Sequence, residues 1–321
     1  MSWFAIAIIA YFLNAIAMVI DKTLLKKEIP NPVVYVFYIA LLGAILILLI
    51  LPFGLTIPNT TTLIIALISG VVFIAALILM FQALKKDDAT RVTSMVGGLT
   101  PIFVFIFAWY LLEEKFTSHQ LGAIILLIIG SLLIALDFEE RGLWPWIEKK
   151  MGFAKNISLP YLRKIIWFAL PSAALFAISS ITAKYVYQNT SFLPGFIWTR
   201  AGSLLAVIFL LLFPNNWHAV KESFKKNKEN KSATKKTGGR FLFGQACGGA
   251  SALLQQYAIF LGSVALVNAL QGIQYAFVFL IVIILTFIAP KILKENITRL
   301  VLIQKITAIL LISVGLYLIA L

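Results

Sequence analysis

Two stretches, Val33 to Leu51 and Leu121 to Leu136, run without a charged side chain, and similar apolar blocks recur along the chain. Crossing a hydrocarbon core of about 30 Å takes roughly 20 helical residues. Inside lipid every backbone N–H and C=O must be satisfied by the segment itself or by a closed barrel. A barrel would show alternating segments of ~10 residues, and this sequence has none. Composition agrees: 61% of the 321 residues are hydrophobic and 12% charged, with mean hydropathy +0.97, against about a quarter charged in soluble domains. The expected fold class is an all-α integral membrane protein.

Hydropathy places ten transmembrane helices at about 3–21, 32–52, 63–84, 90–112, 118–136, 165–187, 194–213, 241–261, 264–289 and 300–321. The apolar run from Trp3 to Ile20 lacks a basic leader and is long for a signal peptide, so it reads as an uncleaved first helix. Two polar connections stand out. Residues 138–164 carry Trp144, Trp146, Met151 and Phe153 among charges and read as an interfacial linker. Residues 214–240 hold eight Lys/Arg and read as a solvated or lipid-facing loop. The formal charge of +14 sits mostly in such connections, where anionic lipid headgroups account for it better than nucleic acid. Cys247 is the single cysteine, which excludes an intrachain disulfide and a cysteine metal cluster.

The chain repeats itself. At an offset of 162, Ala15, Ile16 and Lys22 fall on Ala177, Ile178 and Lys184, and Pro32, Ala44 and Pro52 fall on Pro194, Ala206 and Pro214. At 174, Gly98 and Phe103 to Phe105 fall on Gly272 and Phe277 to Phe279; at 185, Gly130 to Leu136 falls on Gly315 to Leu321. Residues 1–137 are thus expected to form one five-helix repeat and 165–321 a second, which includes the basic loop 214–240. An odd number of helices per repeat inverts one half relative to the other, the plan of many secondary transporters, with substrate bound between the halves near the midplane.

The stretch ALKKDDATRVTSMVGGLTP from Ala83 to Pro101, then Glu113 to Gln120 and Gly122 to Gly130, resembles the EamA-type drug/metabolite transporter superfamily, and Tyr257 to Leu270 echoes it. The resemblance extends over nearly the whole chain, apart from the very basic connection 215–240 and a weaker match in the first helix. It implies ten helices around a central cavity lined mainly by the first, third, fourth, sixth, eighth and ninth, with the fifth and tenth as packing elements.

Polar side chains inside spans are costly and mark a path or a helix interface. Segment 118–136 has one between Leu121 and Leu136, Ser131, whereas 241–289 carries Gln245, Ser251, Gln255, Gln256, Asn268, Gln271 and Gln274. Asn268, Gln271 and Tyr275 are spaced 3 and 4 and share a helical face. Thr93, Gly97 and Thr100 do the same ahead of Pro101, which loosens the backbone ladder. Interhelical hydrogen bonding, worth about 0.6–2 kcal/mol, explains these residues as readily as a substrate path. Gly244 and Gly248 form a Gly-x-x-x-Gly pair that reads as close helix packing.

All thirteen acidic residues are expected in loops or last helical turns, Asp21 being the nearest to the membrane. With no carboxylate at mid-span, cationic-drug antiport is disfavoured, and transport is expected to persist when a pH gradient is collapsed. Positive groups do enter the spans: Lys22, Lys184, Arg200 and Lys305. Snorkelling is the plain reading of each. Arg200 lies about seven residues inside its helix, roughly 10 Å deep, with Trp198 and Thr199 offering stacking or a hydrogen bond but no negative charge. A planar guanidinium there suits a carboxylate or phosphate. The candidate substrate-binding residues are therefore Arg200, Lys22, Lys184, Asn268, Gln271, Tyr275, Gln255, Thr93, Thr100 and Trp198. No catalytic or metal-ligating set is expected.

A hydrolase would need a nucleophile–base pair or metal ligands; the sequence has no His-Glu-x-x-His, no Gly-x-Ser-x-Gly and no histidine in a span. The function expected is a secondary transporter, an exporter or exchanger, multi-pass in the cell membrane. It moves a small polar metabolite, anionic or zwitterionic, such as an amino acid, sugar phosphate or nucleotide sugar, by alternating access. A multidrug or cation exporter of the same superfamily, or a non-transport membrane enzyme or scaffold, stays open. No cofactor is expected. The partners are the small-molecule substrate and anionic lipids at the basic loops, without nucleic acid, and pairing as a homodimer is compatible with the sequence. Connections after the odd-numbered spans carry 23 Lys/Arg and those after the even-numbered ones 2, counting Lys22, Arg91 and Lys184 with the adjoining connections. The positive-inside rule then places both termini outside, whereas the family resemblance implies both inside; the size of the bias favours outside.

Overall fold

A computed structural model describes residues 2–27, 31–50, 52, 54–84, 89–135, 159–229, 231–288 and 299–320. The described residues are helical throughout, joined by short turns. In chain order the helices are α1 (Trp3–Lys27), α2 (Pro32–Ile50), α3 (Thr60–Leu84), α4 (Ala89–Leu111), α5 (Ser118–Ala135) and α6 (Leu159–Asn189). They continue as α7 (Phe192–Leu211), α8 (Pro214–Glu229), α9 (Lys231–Leu261), α10 (Val264–Ala269), α11 (Gln271–Ile288) and α12 (Arg299–Ala320). Among the described residues five stretches are long and apolar enough to cross a membrane: Trp3–Asp21, Thr60–Ala83, Trp167–Asn189, Phe192–Leu211 and Val264–Leu285. Shorter apolar stretches lie in α2, α4, α5 and α12. Large side chains such as Leu48, Trp109, Trp167 and Ile288 are left exposed on the outside. Such a surface is stable in lipid and would aggregate in water, so the chain is a membrane protein.

Small residues set the helix crossings, as expected where lipid removes the hydrophobic drive between helices. α1 lies along α9, with Gly244 against Ile20 and Gly248 against Ala17, the close packing read from the Gly-x-x-x-Gly pair. α3 lies along α6, joined by reciprocal bonds: Ser69 donates to the Ser179 carbonyl at 2.9 Å and Ser179 to the Ser69 carbonyl at 3.0 Å. α3 and α7 meet backbone to backbone, since a Cβ at Gly70 would lie 2.0 Å from the Thr199 carbonyl oxygen. α5 pairs with α12, where Gly130 receives Ile312 and Gly315 receives Leu127.

Two elements differ from the sequence reading. The basic connection 214–240 is not an open loop: α8 fills its first part and α9 begins early, at Lys231. α8 is tied to α2 because Val220 is buried, Ser223 Oγ lies 3.0 Å from Tyr38 Oη, and Phe224 meets the rings of Phe37 and Tyr38 edge-on. The segment expected as one span over 264–289 breaks at Leu270 into α10 and α11. The expected interfacial linker 138–164 falls largely on residues 136–158, outside the described ones.

Candidate functional site

A cavity of about 960 Å³ opens among the helices. The broken segment supplies one wall. At the break the Tyr11 hydroxyl of α1 donates to the Val267 carbonyl at 2.7 Å, and Gln255 Nε2 of α9 donates to the Tyr11 oxygen at 3.2 Å. Half-helices meeting at a cavity leave backbone groups for side chains or solutes to take. One turn along α1, Asn14 Nδ2 donates to Gln274 Oε1 at 2.9 Å. The wall is mostly apolar, with carboxamides and hydroxyls set into it, suited to orienting a solute by a few polar contacts.

Asn268, Gln271, Tyr275, Gln255 and Thr100 all line this cavity. Asn268 spends its amide on the Val264 carbonyl at 2.9 Å and Thr100 its hydroxyl on the Val96 carbonyl at 2.7 Å, each within its own helix. Gly97, one turn before Pro101, is where α4 makes room for Tyr275 of α11: a Cβ there would meet the Tyr275 hydroxyl. Lys22 and Thr93 lie on α1 and α4, but their side chains fall outside the described residues.

Arg200 also lines the cavity, from α7. Its guanidinium carbon stands 5.1 Å from the ring centroids of both Phe73 of α3 and Phe196 of α7. It makes no hydrogen bond or ion pair with a described residue. Trp198, expected beside it, points elsewhere, its indole N–H donating to the Thr56 carbonyl at 3.1 Å, and is not part of the cavity wall. The stacking partners are phenylalanines brought in by the α3–α7 crossing.

Lys184 is placed differently from the expectation. It lies outside the main cavity, and its ammonium donates to the carbonyls of Ile259 at 2.8 Å, Phe260 at 3.4 Å and Gly262 at 2.6 Å, closing the C-terminus of α9. A cation on the last free carbonyls of a helix is stabilising. Glu114 does the converse across the turn, accepting from Ser263 Oγ at 2.5 Å and from the Val264 N–H at 3.2 Å. Neither group snorkels; together they fix the α9–α10 turn.

The cavity also holds residues the sequence reading left out. Asp21 ends the apolar stretch of α1, as expected, but the helix runs on to Lys27 and Asp21 lines the cavity. Its Oδ1 accepts from the Tyr35 hydroxyl and, at 3.4 Å, from Gln245 Nε2. A carboxylate therefore reaches the cavity from the end of a span rather than from mid-span. Tyr11, Asn14, Met18 and Asp21 are spaced 3, 4 and 3, one helical face, and that was the available signal. α2, α7 and α12 also reach the cavity, through Gly43, Arg200 and Lys305, beyond the helices that the family resemblance implies. Lys305, set over the Phe279 ring at 4.5 Å, makes α12 more than a packing element.

Comparison with known proteins gives the family of the first part of the chain. Residues 1–136 match the EamA-like transporter family; the resemblance read over nearly the whole sequence is matched by the family model over that part. A search of curated proteins finds no match. Among solved structures, a protein crystal structure 16% identical in sequence superposes with a TM-score of 0.62, over 98% of this chain and 95% of that one. At that identity the likeness is one of fold. The family matched over residues 1–136 lies within the drug/metabolite transporter superfamily.

Proposed function

We propose that the chain is a multi-pass secondary transporter of the cell membrane, two inverted five-helix repeats that carry a small anionic or zwitterionic metabolite by alternating access. The observation that carries the substrate class is Arg200: a guanidinium over two phenylalanine rings in a cavity, with no carboxylate among the described residues beside it. A charge in a membrane span costs roughly 2.5–3.5 kcal/mol even on the lenient insertion scales. Two aromatic faces recover part of that, and a carboxylate or phosphate seated on the two-pronged donor edge would recover more. The amides of Gln271 and Gln255 then face the neutral part of the solute.

Helix packing supports the repeat. By offset α1 corresponds to α6, and by order in the two halves α3 corresponds to α9; α1 lies along α9 and α6 along α3, as a pseudo-twofold requires. α4 packs on α6 as α11 packs on α1, and the fifth helices of the two halves, α5 and α12, pack on each other. The family of residues 1–136 supports transport over a membrane enzyme or scaffold.

Reconstituted uptake tests the substrate class. Proteoliposomes are offered labelled amino acids, sugar phosphates and nucleotide sugars, alongside a lipophilic cation such as tetraphenylphosphonium. Saturable uptake or exchange of an acid or zwitterion is the expected result. Movement of the cation alone would overturn the assignment and favour the cation-exporter reading.

A further inference from the structure

An anion on Arg200 accounts for one part of the cavity, while the wall around it is mostly apolar and reaches the outer surface of the protein. Ile45 of α2 and Leu242 of α9 line the cavity with 47% and 58% of their surface exposed. Ala246 and Ala250 follow Leu242 at intervals of one turn on the same face of α9. They too are exposed and line the cavity. Side chains that face the cavity and the outside at once mark where it opens.

The opening lies between α2 and α9. Where α2 begins, the two helices touch: Phe241 meets the rings of Tyr35 and Tyr38 with centroids 5.9 and 5.8 Å apart, and Phe224 of α8 packs on Tyr38 beside them. With the spans alternating, both helices run the same way from that contact. About 12 Å further along each stand Gly43 and Gly249, which line the cavity, and a Cβ on either would find no described atom within 4 Å. Gly43 is near the middle of α2 (Pro32–Ile50), so the gap lies deep in a hydrocarbon core of about 30 Å. The aromatic rings shut it toward the membrane surface, and what borders it sideways is lipid. By order in the two halves, the counterpart of this pair is α7 with α3. That crossing is closed, since a Cβ at Gly202 would run into the Leu67 backbone.

We propose that this gap is a sideways portal to the bilayer and that the solute is an amphiphilic acid, a carboxylate or phosphate on a single hydrocarbon tail. This deepens the carrier reading above and rests on it, with Arg200 as the anion site. The acid moves to Arg200 along a wall that bears Gln245 and Gln271, while the tail lies against Ile45 of α2 and Leu242 and Leu253 of α9. A tail passing from lipid to such a wall exchanges one apolar surround for another and never meets water. It also concentrates the solute in the leaflet beside the portal. A tailless polar solute would instead leave most of this wall without a partner.

Two measurements test the portal, the first without a substrate. A spin label on Gly43→Cys or on Gly249→Cys, in a Cys247→Ser background, is read in nanodiscs for collision with oxygen, which dissolves in hydrocarbon, and with a nickel chelate, which stays in water. Oxygen should dominate at both positions. Dominance of the chelate would make the gap a water channel and overturn the portal. In the second, labelled dodecyl phosphate is placed in the outer leaflet of proteoliposomes, and the fraction protected from extraction by albumin is followed. The protein should speed its crossing over protein-free liposomes. Gly43→Trp with Gly249→Leu, which fill the open space, should slow that crossing by about tenfold or more at equal thermal midpoint. The label measurement does not depend on that variant folding. Crossing that ignores the filled gap would overturn the portal. Uptake of tailless acids such as glutamate or glucose phosphate, with no movement of dodecyl phosphate, would overturn the amphiphile and leave the carrier standing. Movement of none of these would overturn both.

Discussion

Gly97 and Tyr275 share one space: a Cβ built on Gly97 would fall 1.4 Å from the Tyr275 hydroxyl oxygen and 2.7 Å from the ring carbon that bears it. The bare backbone of α4 is what lets the α11 tyrosine lie across it. Gly97→Ala should therefore push Tyr275 and α11 aside, at a cost of about 1–3 kcal/mol for overpacking. Thermal unfolding of the purified protein in detergent should show a lowered midpoint. Adding Tyr275→Leu, which shortens the opposing side chain, should restore it. An unchanged midpoint in Gly97→Ala alone would mean that the two helices do not meet this way.

Lys184 is a structural cation by its geometry. Lys184→Met removes three charge-assisted bonds from the end of α9 and should lower stability by about 1–3 kcal/mol. Lys184→Arg should recover part of that. Because Lys184 stands outside the cavity, the folded fraction of Lys184→Met should bind substrate with unchanged affinity. A weakened affinity at normal stability would return Lys184 to the recognition site.

The sequence shows the helices well and the site unevenly, for physical reasons. Apolar blocks mark membrane spans whatever their neighbours, so α2 and α5 stand close to the ranges read from hydropathy. The face formed by Asn268, Gln271 and Tyr275 is a local property of spacing, and the three line one cavity. Lys184 and Lys22 look alike in the repeat, yet the role of Lys184 depends on carbonyls 75 to 78 residues away, at Ile259, Phe260 and Gly262. Nothing local encodes that meeting. Asp21 stands at the end of the apolar stretch, as read, but its place in the cavity wall depends on Tyr35 of α2 and Gln245 of α9, which no local pattern shows. The break at Leu270 carries no proline, and the Tyr11 hydroxyl that serves it comes from the other end of the chain.

Charge distribution predicts sidedness. With 23 Lys/Arg in one set of connections and 2 in the other, the C-terminus should lie outside the cell. An alkaline phosphatase fused after Leu321 should be active and a green fluorescent protein fused there dark. The opposite pattern would place the termini inside, as the family resemblance implies.

Arg200 carries the central claim. Lysine keeps the charge but loses the planar fork and much of the stacking on Phe73 and Phe196. Losing one charge-assisted bond of a bidentate pair costs about 1.5–3 kcal/mol, roughly a 10- to 150-fold weakening. The most direct measurement is uptake of the acidic solute by Arg200→Lys proteoliposomes at equal protein and equal thermal midpoint. The account predicts a loss of that size in apparent affinity or rate. Uptake indistinguishable from the native protein would contradict it and leave Arg200 as a snorkelling side chain.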